Sequence, residues 1–416
     1  MKKNIIFSLL AVLILSYSCK DKIYSKFLAN SPIYMDYESF RNAVKFIGPQ
    51  AIKDKGQIYS KDGYLFIIEN GEGIHFIENY NPSNPIKKGF LKVPGCTGMA
   101  MKDHFLYVNS LIDLVIVDIS NFNAPKVAQR IEGLMPEYLP TGNDQYPYAK
   151  IDKNKGVVVG WEIKEVKEEA NSQPYLYNTG DVSIATAENT GGFAGSGTGV
   201  SGSITKFTII NNHLYVMEGH ELYSIGIANP YSPTIGNKVF ISRVVETLFP
   251  YNNHIFMGTT SGMLIYSTSN PNQPSYVAEV NHMTACDPVV VKDNYAYVTI
   301  REGRNCGGTI NQLDIIDVSS MTNPILKKSY TMHNPHGLGI DQNLLFICDG
   351  SEGLKVFNAS NPIESGNHLI KQFQSIKAID VIPLNNTLIM IANDGLYQYD
   401  YTNPENIFLL SKINFN

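Results

Sequence analysis

No His-Glu-x-x-His pair, no Cys-x-x-Cys, no Ser-His-Asp arrangement and no dinucleotide glycine fingerprint occurs in the chain. The sequence therefore names no reaction. Positive charge is not in surplus either, with 33 basic against 38 acidic side chains, so there is no global attraction for nucleic acid or anionic lipid. After the first twenty residues no apolar run reaches membrane length. A 3.6-residue apolar stripe is absent except over "YESFRNAVKFI", which excludes helical bundles and helical solenoids. What remains is 44% hydrophobic and 11% aromatic, ample material for a core of strands.

The N-terminus "MKKNIIFSLLAVLILSYSC" has two lysines, an apolar stretch from Ile5 to Leu15 and small or polar residues ending at Cys19. That pattern suits an export signal and not a spanning helix. Ending on cysteine, it resembles a bacterial lipoprotein signal over residues 1–18, which implies acylation of Cys19 as the mature N-terminus. The simpler alternative is a secreted chain cleaved near Ser18. "KDK" after the cysteine looks like a weak form of an acidic surface-export tag. Without Lys2 and Lys3 the chain has 31 basic and 38 acidic groups.

Seven segments resemble one another: an apolar run, an anchor residue, then a turn closing on proline. The anchors are Glu78, Asp118, Gly226, Ser267, Asp317, Asn358 and Asp400, separated by 40, 108, 41, 50, 41 and 42 residues. The period is about forty-one, and self-similarity at such a period marks an array. The gap of 50 carries nine extra residues, visible in "REGRNCGGT". The gap of 108 reads as two periods plus an insertion, so an eighth, degenerate unit is expected there, containing Trp161.

Within a unit, short β-branched and aromatic runs alternate with turn residues every eight to twelve positions. "GMAMK", "HFLYVNS", "LVIVDIS" and "KVAQRIE" give four strands. The first hairpin uses Lys-Asp, "INNH", "YNNH", "VKDN" or "PLNN", where Asn and Asp tolerate left-handed backbone. The third strand ends in a turn in which proline fixes φ and removes a donor. Four antiparallel strands, repeated eight times, predict an all-β propeller; seven blades are the alternative count. Leu114 and Ile116 should face one neighbouring blade, Val115 and Val117 the other. Asp118 is expected to bind turn amides.

The "GH…WD" signature of WD40 propellers is missing. On "LVIVD" at Leu114–Asp118, "GIHFIENYNPSNP" and "HNPHGLGID", the chain resembles the LVIVD-repeat family of exported bacterial β-propeller lipoproteins of the Bacteroidetes type. The resemblance implies the fold and an envelope location, and lends no settled activity. The domains expected are a signal over 1–18, a tether over 19–55, and a propeller over 56–416 with an insertion at about 165–202.

In an antiparallel blade, the start of the first strand and the second-to-third loop share one face, here the loop face. The first hairpins and the proline turns share the other, the hairpin face. Departures from the repeat are expected to gather on the loop face. The Gly/Ser/Thr/Asn-rich insertion is one; its "GGFAGSGTGVSG" lacks the strand, helix and Lys-Ser/Thr of a phosphate-binding loop. The extra residues of the 50-residue gap hold Cys306, and Cys286 opens the same unit's first strand. An exported chain favours disulfides, which predicts a Cys286–Cys306 bridge; Cys96 and Cys348 read as buried thiols. Asp287 and His336, with His282 and His333 upstream and Arg301, Glu302 and Arg304 on the rim, form the candidate ligand-binding face. Asp287 and His336 are also the only pair proposed for a divalent metal. The leading expectation is a non-catalytic, outer-membrane-anchored binding or scaffold propeller without cofactor. It would lie in the periplasm or on the surface, engaging an envelope protein or glycan and touching the membrane through its lipid alone. The alternative is a metal-assisted hydrolase or lyase working at the channel mouth.

Overall fold

A computed structural model describes residues 24–136, 139–169, 197–203, 205–281, 288–302 and 310–415. The chain divides into two compact units, the smaller holding residues up to Tyr37 and 138–182, the larger holding Glu38–Glu137 and Ser183–Asn416.

The larger unit is a propeller of seven blades, not eight. Each anchor found in the sequence ends the third strand of one blade or lies at that strand's last position. The first strands are Lys55–Lys61, Met99–Lys102, Phe207–Ile210, Val245–Tyr251, Val289–Lys292, Leu338–Asp341 and Ala378–Leu384. The 108-residue gap therefore holds one period and a long insertion. The segment expected to carry an eighth blade, Val157–Glu169 with Trp161, instead pairs antiparallel with Tyr24–Met35 in a two-stranded ribbon of the smaller unit. Asn30 fixes that ribbon through both amide ends: Nδ2 donates to the carbonyls of Asn143 (2.9 Å) and Tyr146 (2.8 Å), and Oδ1 accepts from Asn143 N. Trp161 Nε1 donates to the Pro140 carbonyl at 2.6 Å, with Tyr148 edge-on to its ring.

The blades share their first hairpin, and several share the closure of the third strand. The first-to-second hairpins turn through left-handed residues, with φ between 45° and 55° at Asp62, Asp103, Asn211, Asn252, Asp293, Gln342 and Asn385. Such turns match the twist of the flanking strands. At the end of the third strand the anchor oxygen accepts the N–H two residues on: Asp118 from Ser120 (2.8 Å), Asp317 from Ser319 (3.0 Å), Asn358 from Ser360 (2.9 Å) and Asp400 from Thr402 (2.8 Å). The expected structural role of Asp118 is thus observed.

Blades bury both sheet faces. Val115 and Val117 join the first blade's Phe66, Ile68, Ile74 and Phe76, while Leu114 and Ile116 join the third blade's Phe207, Leu214 and Ile225. An aromatic ring fills the middle of the second strand in six blades (Phe66, Tyr107, Tyr215, Phe256, Tyr297, Phe346), all buried. Blade seven closes on blade one without exchanging a strand. Ile382, Ile389 and Ile391 meet Ile58, Leu65 and Ile67, and Gln398 and Asn79 exchange amide hydrogen bonds of 2.7 and 2.8 Å. Before blade one, "YESFRN" is a short helix, Tyr37–Asn42, and Lys45–Ile47 adds a fifth strand to that blade's outer edge.

The Ser319 hydroxyl and N–H, aided by Lys327, hold the Asp317 carboxyl below its ordinary value against slight burial. A depressed folded value means stability that is present above the unfolded value and lost as pH falls through the folded one. Asp317→Asn should keep the turn, as Asn358 does in blade six, and remove this acid-dependent part. Asp317→Ala should cost about 1 kcal/mol at neutral pH, read from urea midpoints at pH 7 and pH 3.

Candidate functional site

The hairpin face repeats one left-handed turn in all seven blades, and the loops opposite vary more from blade to blade. There, the residue nine places before the anchor clamps the start of its own blade in three cases. Glu69 accepts the N–H of Asp54 (2.7 Å) and Lys53, Asn109 Oδ1 those of Thr97 (2.9 Å) and Gly98 (3.0 Å), and Asp349 Oδ1 those of His333 (3.0 Å) and Asn334 (2.8 Å). The forty-one-residue period marks these positions, since acid or amide side chains at an apolar strand end stand out. Asp349 is fully buried and paired with Lys355 at 2.5 Å. Glu69 also bonds the buried His75 at 2.9 Å. Burial lowers the His75 value more than Glu69 raises it, so the ring stays neutral. Burial pushes Glu69 up, but the Asp54 and Lys53 amides and His75 bring it below its ordinary value. In blade two, fully buried Asp113 takes Arg41 Nε (3.2 Å), Arg130 Nη1 (3.0 Å) and Gly133 N (2.9 Å). These enclosed charges brace loops.

Of the residues singled out in the sequence, Arg301 and His336 meet. Arg301 Nη1 lies 2.6 Å from His336 Nδ1. A guanidinium has no acceptor, so Nδ1 accepts and the ring proton sits on Nε2. His336 is further fixed by its backbone: its N–H donates to Cys348 O (2.6 Å), and its carbonyl accepts the Thr299 hydroxyl (2.7 Å). His333 is exposed, with its N–H held by Asp349. Cys19, His282, Cys286, Asp287, Arg304 and Cys306 lie outside the described residues, and with them the metal pair and the bridge. Among the described residues no group of three or more His, Cys, Asp or Glu side chains could hold a metal ion. Cys96 and Cys348 are buried.

His336 lines a pocket of about 270 Å³ with Asn334, Gly350, Ser351, Lys377, Ala378, Ile379 and Asn393. These residues come from the first-strand starts and second-to-third loops of blades six and seven. The backbone bridge between Gly350 and Ala378 joins the two blades there. Sequence reading reached His336 and missed Ser351, Lys377 and Asn393, because polar loop residues have no period to mark them.

The insertion does not stay on the loop face. It leaves blade two there, with Met135 N donating to Ile112 O. Its returning end begins at the hairpin face, where Asp103 N donates to Gly197 O (2.6 Å) and Thr198 bridges Lys102. Val200–Ser201 then pairs antiparallel with Ser60 and Tyr59 on the free inner edge of blade one. The segment thus follows the axial channel back to the loop face, where Thr205 O accepts Leu248 N from blade four (2.8 Å). Gln57 ties this strand in. Its Nε2 lies within hydrogen-bond distance of Met99 O (2.9 Å), Ser201 Oγ (2.8 Å) and Thr205 Oγ1 (3.0 Å), and its Oε1 accepts Met99 N (2.7 Å). One buried amide thereby substitutes for a strand between two blades. Gln57→Leu keeps the bulk and strands the Met99 amide and carbonyl. It should cost about 1–3 kcal/mol per group left unsatisfied, measured by denaturant unfolding, with faster protease cleavage near residues 197–205.

The LVIVD repeat family matches at residues 97–132 and 284–332. No curated protein matches the sequence. Among solved structures, the computationally designed Ika8 protein is similar at 9% identity over 89% of this chain and 91% of its own, with a TM-score of 0.50. Sqt1 of Saccharomyces cerevisiae is similar at 9% identity over 93% and 90%, also with a TM-score of 0.50. At such identity the likeness concerns fold alone. The chain is thus a seven-bladed β-propeller in which two segments match the LVIVD repeat.

Proposed function

We propose that this protein is a non-catalytic binding or scaffold propeller of the bacterial cell envelope. Acylated Cys19 tethers it to the outer membrane, on the periplasmic or the outer side, and the loop face engages an envelope protein or glycan. The observation that carries the reading is the asymmetry between faces. The hairpin face repeats one left-handed turn seven times at equivalent positions. The loop face differs from blade to blade and presents Arg301, His336, exposed His333 and a polar pocket. Rigid closures on one side and varied loops on the other are how a scaffold separates stability from recognition. The return strand along blade one favours recognition at the face over chemistry in the channel.

Cys19→Ser should abolish incorporation of labelled palmitate and move the protein from the membrane to the soluble fraction. Capture from solubilised envelopes should fall at least about tenfold in a loop-face variant, Glu302→Lys with Lys377→Glu. It should survive in a hairpin-face variant, Asn84→Lys with Lys126→Glu. Equal capture by both variants sinks the assignment of the face, and no specific partner or glycan with either sinks the function.

A further inference from the structure

We propose that the pocket between blades six and seven takes a single carboxylate-bearing sugar residue of a glycan, an inference that rests on the binding role assigned above to the loop face. Four polar residues line it from separate loops: Asn334, Ser351, Lys377 and Asn393. Among the described residues none of these four uses its side chain in a hydrogen bond or ion pair of the fold, although neighbouring polar groups are tied. Asp349 is bound to Lys355, and Asp394 to Lys412 at 2.7 Å and to the Tyr397 hydroxyl. Asp380, three residues after Lys377, is fully buried and does not line the pocket. Asp349 and Asp394 are thus matched by their own cations, while Lys377 stands exposed at the rim as charge for a ligand.

The donors suit a polyhydroxylated acid. Two amides and a hydroxyl offer both donors and acceptors, as sugar hydroxyls require. The Lys377 ammonium supplies the countercharge for a carboxylate. A volume of about 270 Å³ lies just below the range typical of small-molecule sites. It has room for one ring, and too little for the run of side chains a peptide groove must house.

The test is titration of the full soluble chain with galacturonate, galactose and acetate, followed by isothermal calorimetry and by shifts of labelled Asn and Lys side chains. Galacturonate should bind at least about tenfold tighter than either of the others. Its affinity should fall at least about tenfold in Lys377→Ala, recover in Lys377→Arg, and weaken in Ser351→Ala. Raising salt from about 50 to 500 mM should weaken it further, as a screened ion pair demands. Acetate binding as well as galacturonate makes this a simple anion site, and galactose binding equally makes it a neutral sugar site; either overturns the proposal. So does undiminished binding in Lys377→Ala, or no binding of galacturonate at tens of millimolar. Unchanged unfolding midpoints for the variants exclude misfolding as the cause of a loss. If galacturonate fails while face-dependent envelope capture persists, this inference alone falls; if capture fails too, the binding role falls with it.

Discussion

A four-stranded sheet that is apolar on both faces cannot stop anywhere in an open row, because its last face would meet water. This double-sided burial governs the molecule. Each blade hands one set of alternate side chains to its predecessor and the other set to its successor, as Val115 and Val117 against Leu114 and Ile116 illustrate. The only arrangement without an exposed face is a closed circle. Closure here is made by isoleucines of blades seven and one and by the Gln398–Asn79 amide pair. At roughly 25 cal/mol per Å² of apolar area removed from water, such interfaces far outweigh any single loop contact.

Once the ring is fixed, polar groups are disposed by what it leaves unpaired. The inner edges of first strands face the channel with open backbone, and the insertion's return strand satisfies that edge on blade one. Gln57 and Tyr59 serve the neighbouring backbone in the same way: the Tyr59 hydroxyl accepts Met101 N at 3.1 Å and lies 3.3 Å from Met101 O, and burial pushes its ionisation far above the ordinary tyrosine value. On the loop face, Glu69, Asn109 and Asp349 restrain the first-strand starts. Rigid supports of that kind let other loop residues keep their hydrogen-bonding capacity for something outside the chain.

Much of this was legible in the residues. The anchors named seven third strands, the Asn and Asp hairpins named their own left-handed turns, and the alternation in "LVIVD" named two blade interfaces. The error was the eighth unit. Val157–Glu169 has the composition of a strand, and spacing alone cannot say whether a strand's partner is forty residues away or, as with Tyr24–Met35, more than a hundred. The route of the insertion was equally hidden. Its leaving and returning ends are on opposite faces, and Gly-Ser-Thr composition has no direction. At the candidate site, Arg301 and His336 were chosen as polar departures from the repeat, but their contact at 2.6 Å depends on the angle between two blades.

By itself the sequence determined the all-β class, the period and the chemistry of every turn, since these depend on neighbours within a few residues. Only the tertiary structure decided the number of blades, the manner of closure, the path along the axis and the pocket that Asn334, Ser351, Lys377 and Asn393 line. Those are set by which apolar faces find each other across tens or hundreds of residues, and local propensity carries no record of that pairing.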